Sequence, residues 1–117
     1  ISKNKDGRPF DLFRKRVIFP ILNSQGRVIA FGGRALNNDD MPKYLNSPET
    51  EIFQKRSELY GLNQAKKNID SDKSQLLVCE GYLDLIRLVQ SGFPNSVATL
   101  GSYLKMEHCR LIRRYVM

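Results

Sequence analysis

The sequence predicts a mixed α+β and α/β protein: an antiparallel, hairpin-containing basic subdomain over residues 1–74, then the start of a parallel sheet over residues 75–117. Three observations predict it. Two strand-like segments, 17–21 and 27–31, flank the turn cluster Asn23-Ser24-Gln25-Gly26, the pattern of an antiparallel hairpin. The run 76–79 passes through Glu80-Gly81 into Tyr82, Leu85, Ile86 and Val89, whose spacing changes to that of a helix, so a short buried strand leads into a helix. A second apolar run, 97–100, follows that helix, and strand–helix–strand order belongs to parallel sheets.

Taken in order, Asp6-Gly7-Arg8-Pro9 is a loop, and Phe10, Leu12 and Phe13 lead into the basic run Arg14-Lys15-Arg16. Pro20 lacks an amide donor, which places the first hairpin strand at an edge or a bulge. Gly32-Gly33-Arg34 follows the second strand; it reads as a glycine bulge or turn with a surface arginine, or as flexible backbone that presents Arg34 to an anion. No dinucleotide or P-loop glycine pattern is present, so these glycines do not by themselves indicate a nucleotide site. Asn37-Asn38-Asp39-Asp40 is a loop tip. Ser47-Pro48 has the form of an N-cap and first helical residue, predicting a short helix through Phe53. Gly61-Leu62 opens a helix with Leu62, Ala65 and Ile69 on one face, ending in the polar linker 70–74, where the subdomain boundary is expected. Gly92 is a plausible C-cap for the helix after Glu80. The last helix carries Leu104, His108, Leu111, Ile112 and Tyr115 on its apolar stripe. His108, the one histidine, is therefore expected to be packed or half-exposed rather than to act as a ligand or base.

Composition sets limits. The 117 residues are 41% hydrophobic, enough for one modest core. No run approaches the roughly 18 apolar residues of a membrane span, and no membrane partner is expected. The first residues lack the apolar stretch of a signal peptide, and Ile1 is not an initiating Met, so the expectation is a fragment of a longer protein. Cys79 and Cys109 have no zinc-site spacing and suit reduced, cytosolic thiols. The net charge is +7. Residues 1–74 hold 14 Lys/Arg against 9 Asp/Glu and residues 75–117 hold 5 against 3, that is +5 and +2. Such an excess favours polyanion partners, though a solvated cationic surface has the same composition.

Glu80 is the residue around which function is read. It stands where a strand ends and a helix begins, the position at which open α/β sheets place their ligand crevice. Gly81 permits close approach, and Asp84 falls in the first turn of the helix. Oxygen donors of this kind suit a hard divalent cation; an acid here can equally complement the helix dipole. Lys43 beside Tyr44 pairs a cation with a ring, a combination fit for phosphate and base contacts and also ordinary at a surface. Lys55 and Arg56 join that basic region if the loop folds back.

Glu80-Gly81-Tyr82-Leu83-Asp84 followed by Val97-Ala98-Thr99-Leu100-Gly101-Ser102 closely resembles the start of the TOPRIM domain, a Rossmann-like parallel sheet, of bacterial, DnaG-type DNA primases. Arg16-Val17-Ile18-Phe19-Pro20-Ile21, Gly26-Arg27-Val28-Ile29-Ala30-Phe31-Gly32-Gly33-Arg34, Pro42-Lys43-Tyr44-Leu45-Asn46-Ser47-Pro48-Glu49-Thr50 and Leu59-Tyr60-Gly61-Leu62 resemble the same family, so the likeness runs from about Phe10 to the end. It implies template-directed synthesis of short RNA primers on single-stranded DNA from ribonucleoside triphosphates, in the bacterial cytoplasm at the nucleoid. The implied chemistry is nucleotidyl transfer assisted by Mg²⁺ or Mn²⁺, with no zinc in this segment. By the same resemblance Glu80 belongs to the metal site or its proton handling, and Asp84 to the acid cluster. Arg34, Lys43, Tyr44 and Lys55 match positions that hold nucleotide and template, and Arg14 and Arg16 extend that groove. The family's sheet continues to an Asp-x-Asp strand, which is not found here, and it meets a replicative helicase through a further domain. The implied object is thus the basic subdomain plus the first half of TOPRIM, inactive on its own. Two other readings are a topoisomerase or nuclease of the TOPRIM class, against which the PKYLNSPET segment argues, and a non-catalytic nucleic-acid-binding module.

Overall fold

In the computed structural model, which describes residues 2–69 and 75–116, three small sheets follow one another along a molecule with a longest extent of 55 Å. A two-residue hairpin, β1 (Ser2–Lys3) and β2 (Pro9–Phe10), opens the chain. The main antiparallel sheet has the order β3 (Arg16–Leu22), β4 (Val28–Ala35), β5 (Tyr44–Asn46). The expected hairpin is there, and its turn is built as the sequence indicates: Asn23 Oδ1 accepts the backbone N–H groups of Gln25 and Arg27 at 3.0 Å each, and Gly26 sits at φ +85°. Pro20 lies on the edge strand β3, where a missing donor costs least.

Strand alternation divides the functional residues of this sheet. Phe19 pairs with Gly32 and Gly32 with Asn46; Val17 pairs with Arg34 and Arg34 with Tyr44. Paired residues share a face, so Phe19, Gly32, Arg34, Tyr44 and Asn46 look one way. Arg16, Ile18, Gly33, Phe31 and Leu45 look the other.

The glycines are where expectation and structure part. Gly32-Gly33-Arg34 forms neither turn nor flexible loop; it is the interior of β4. A Cβ on Gly32 would run into the Tyr82 ring, and one on Gly33 would come within 2.9 Å of Phe13. Closeness of packing, not backbone freedom, is what these two positions require.

The helix expected over 47–53 does not form. Ser47 instead spends its hydroxyl on β4, accepting from Phe31 N–H at 2.9 Å and donating to Phe31 C=O at 3.1 Å. Thr50 then makes a local turn, its Oγ1 accepting from Phe53 N–H at 3.1 Å; such side-chain bonds compete directly with a helix. That turn drives Phe53 fully into the core. A 3₁₀ turn follows at Lys55–Ser57, and α1 is one α-helical turn, Leu62–Ala65, tightening to 3₁₀ over Lys66–Asn68. The linker 70–74, and with it the boundary assigned to residue 74, lies outside the described residues.

β6 (Leu77–Glu80) and β7 (Ser96–Thr99) pair in parallel through α2 (Tyr82–Gln90), as the sequence predicts. α2 closes with a Schellman arrangement: Phe93 N–H bonds Leu88 C=O at 3.0 Å and Gly92, at φ +97°, bonds Val89 C=O at 3.2 Å. β7 is buried throughout. β6, expected to be buried, is not: Leu77 and Val78 are 38% and 41% exposed, because among the described residues no strand pairs with its outer edge. The last helix, α3 (Met106–Ile112), starts two residues later than its stripe indicates, leaving Leu104 half exposed.

Two clusters make the core. Phe19, Ile21, Ala30 and Phe53 join Tyr82 and Leu100, so the first cluster combines both halves of the chain. Phe19 stacks on Tyr82 at 5.0 Å, and Tyr60 meets the same ring edge-on at 4.9 Å, a combination worth about 1–3 kcal/mol beyond area burial. The second cluster, Leu59, Leu62, Ala65 and Val97, is capped by Leu111 and Ile112 of α3 and by Tyr115 just beyond it.

Candidate active site

Parallel pairing fixes the centre of the site. Glu80 and Thr99 are register partners at the carboxyl ends of β6 and β7. Gly81, at φ +85° and ψ 156°, turns the chain at once into α2, which sets Asp84 one helical turn from Glu80. Both acids open into a cleft of about 570 Å³. Tyr44 and Asn46 of β5 form the facing wall, and Gly101, Ser102 and Tyr103 after β7 complete it. Glu80 and Asp84 are solvent-exposed, and the amino end of α2 adds the positive end of its dipole. Burial, and then the Asp84 charge, push the neighbouring Cys79 thiol up, which leaves it protonated and a poor ligand.

The predicted residues do not all gather here. Glu80, Asp84 and Tyr44 line the cleft. Lys43 Nζ stands over the Tyr44 ring, 5.9 Å from its centroid. Arg34 is the register partner of Tyr44 and shares its face, with Nε buried and without a partner among the described residues. Arg14 and Arg16 are elsewhere: they line a cleft on the opposite face of the sheet together with Lys15, Met41 and Leu45, and Arg16 donates to Lys43 C=O at 3.3 Å. Lys55 sits in the 3₁₀ turn, its N–H bonded to Glu49 Oε1 at 3.0 Å and its C=O to His108 Nε2 at 2.7 Å. Its side chain does not line the Glu80 cleft.

His108 is fully buried and structural, as its stripe position indicates. Its Nδ1 accepts Lys105 N–H at 2.9 Å, so Nε2 carries the proton given to Lys55 C=O. Among the described residues no three His, Cys, Asp or Glu side chains converge on one point. Asn46, Thr99 and Ser102 are cleft residues that residue type and spacing did not single out. The available signal was position: Thr99 ends a strand parallel to that of Glu80, and Ser102 follows a glycine just beyond it.

The architecture is a hairpin sheet packed on the opening strands of a parallel, Toprim-type sheet, with a carboxylate cleft between them. Residues 1–66 match the family model of the DNA primase catalytic core, N-terminal domain, and residues 74–116 match the Toprim domain. The chain belongs to the DNA primase catalytic-core family. It is 52% identical over 117 residues to a DNA primase of Pseudomonas aeruginosa, covering 99% of this chain and 17% of that protein's length. A crystal structure of a DNA primase domain from Pseudomonas aeruginosa superposes with a TM-score of 0.90 at 52% identity, over 98% of this chain and 36% of the other. A DnaG primase catalytic domain bound to ssDNA gives a TM-score of 0.86 at 49% identity, over 97% and 36%. The chain thus spans under a fifth of the curated relative and about a third of each solved domain.

Proposed function

We propose that this chain forms the basic wall and the first acidic strand of a primase catalytic centre, which makes short RNA primers on a single-stranded DNA template in the cytoplasm by metal-dependent nucleotidyl transfer. The observation that carries the reading is the shared cleft of Glu80, Asp84 and Tyr44, bordered by the sheet face that holds Arg34. Its donor set fits Mg²⁺ or Mn²⁺: two exposed carboxylates and neighbouring hydroxyls, all hard oxygens, with open volume for the waters and substrate phosphates that such ions retain. Glu80 and Asp84 would hold the ion. When bound, it would draw together the primer 3′-hydroxyl and the α-phosphate and offset the charge of the pyrophosphate leaving group.

The chain's own residues then divide the remaining work. Arg34 and Lys43 offer positive charge to the ribonucleoside triphosphate near the carboxylates, and Lys55, on the 3₁₀ turn outside the cleft, offers its charge to the template. Tyr44 offers a ring for a base to stack on. Arg14 and Arg16, across the sheet, hold template phosphates away from the chemistry.

The test is ribonucleotide incorporation on a single-stranded template by the full-length protein. Glu80→Gln is expected to abolish RNA synthesis while DNA binding persists. A Glu80→Gln protein that still makes primers at the normal rate overturns the assignment.

A further inference from the structure

Three residues that line the Glu80 cleft each carry a buried polar atom with no bonding partner among the described residues. Thr99 is only 3% exposed, and its Oγ1 is buried without a partner. Asn46 Oδ1 and Ser102 Oγ are in the same condition, and all three residues line the cleft into which Glu80 and Asp84 open. A buried polar atom left unbonded costs about 1–3 kcal/mol, and native proteins keep few without a reason. These three come from separate parts of the chain: β5, the end of β7 and the loop beyond it. Thr99, as the register partner of Glu80, stands one strand spacing away, about 4.8 Å, and on the same face.

Their chemistry restricts what satisfies them. Asn46 Oδ1, with the amide as assigned, only accepts, and a fully ionised phosphate has no proton to give it. Glu80 and Asp84 are acceptors as well. A pocket of acceptors beside two hydroxyls calls for a cationic ligand surrounded by O–H donors, which describes a hydrated divalent cation. Such an ion takes one or two carboxylates directly and keeps several waters, and groups that bond those waters or the ligands set much of its affinity.

We propose that Thr99, Asn46 and Ser102 hydrogen-bond the water molecules of a divalent cation held by Glu80 and Asp84. The inference rests on the reading of those two acids as the metal carboxylates. It makes the buried hydroxyl of Thr99 a feature that weakens the fold and serves the ion.

The experiment is Mn²⁺ binding to the full-length protein, followed by loss of the free-ion electron paramagnetic resonance signal, with urea unfolding of the same samples. Thr99→Val keeps the side-chain shape and removes the hydroxyl. It is expected to weaken Mn²⁺ binding about 10-fold or more, while the unfolding midpoint stays level or rises. Thr99→Ser is expected to retain Mn²⁺ affinity, and Ser102→Ala, in a loop, to weaken it with no change in fold. If Thr99→Val does not fold, Ser102→Ala carries the same comparison. Unchanged Mn²⁺ affinity in Thr99→Val and Ser102→Ala, with affinity lost in Glu80→Gln, overturns this inference alone. The same holds if those variants weaken ribonucleotide binding instead, which would assign the hydroxyls to the sugar. Unchanged affinity in Glu80→Gln overturns the metal reading beneath it.

Discussion

Gly32 has no room for a methyl group. Its missing Cβ is what lets the Tyr82 ring lie flat between β4 and Phe19, so Gly32→Ala must either displace that ring or bend the strand. Overpacking of this kind costs about 1–3 kcal/mol, and the urea midpoint of the variant is expected to fall accordingly. Tyr82 itself is 4% exposed, with a hydroxyl that has no partner among the described residues. Burial, and secondarily the neighbouring Tyr60, push that hydroxyl up to about 12 from its ordinary 10. Because the folded-state value is the higher, the corresponding stability is fully present below pH 10 and is lost as pH rises towards 12. At ~1.4 kcal/mol per pH unit, the loss over that window is of order 2 kcal/mol. Tyr82→Phe removes both the titration and an unbonded hydroxyl. Its stability is expected to match or exceed that of the parent at pH 7 and to decline less between pH 10 and 12. An alkaline unfolding curve that superposes on the parent's would refute this.

At the scale of elements, α3 is joined to the 3₁₀ turn at Lys55–Ser57 by His108, which bonds Lys105 N–H on one side and Lys55 C=O on the other. His108→Ala leaves both backbone groups without their partner in a closed interior, a cost of about 2–4 kcal/mol. Gln is expected to recover the bond to Lys55 and Asn the bond to Lys105, each restoring part of the loss in denaturant unfolding. Equal stability of the alanine variant and the parent would show that the histidine fills space and no more. The sequence made some of these elements legible and hid others, for identifiable reasons. The hairpin and the β6–α2–β7 unit were legible because turn residues, apolar runs and helical spacing agree locally. The Glu80 and Asp84 pair followed from them, since a strand end before a helix places acids in a crevice whatever the rest does. Ser47-Pro48 misled because a helix cap and a strand-edge hydrogen bond ask for the same hydroxyl, and only the distant Phe31 backbone decides between them. Gly32-Gly33 misled in the same way: the rings of Tyr82 and Phe13, remote in sequence, set their requirement. Arg16 could not be assigned a side until pairing was known, because a shift of one residue exchanges the faces of a strand.

For the molecule as a whole, the net charge is +7, and basic residues of the first subdomain fall on both sides of the β3–β4–β5 sheet. Arg34 shares the face of Tyr44, which lines the carboxylate cleft, and Lys43 Nζ lies over the Tyr44 ring, while Arg14, Lys15 and Arg16 line separate clefts across the sheet. Template held by the outer set and nucleotide held by the inner set would then be separable by mutation. For single-stranded DNA each neutralised phosphate contributes about 0.7 to the slope of log affinity against log salt. Arg14→Ser with Arg16→Ser is therefore expected to lower that slope by about 1.4 if both arginines meet phosphates. Mn²⁺ affinity should stay unchanged, because neither residue lines the Glu80 cleft. Fluorescence anisotropy of a labelled oligonucleotide across a salt series measures the first quantity, and the Mn²⁺ titration the second. Arg34→Ser should show the opposite balance, with weaker ribonucleotide binding and a template slope close to the parent's. If the outer pair leaves the slope untouched, the far face of the sheet is no part of the template path, and the net charge of the chain acts only through the cleft side.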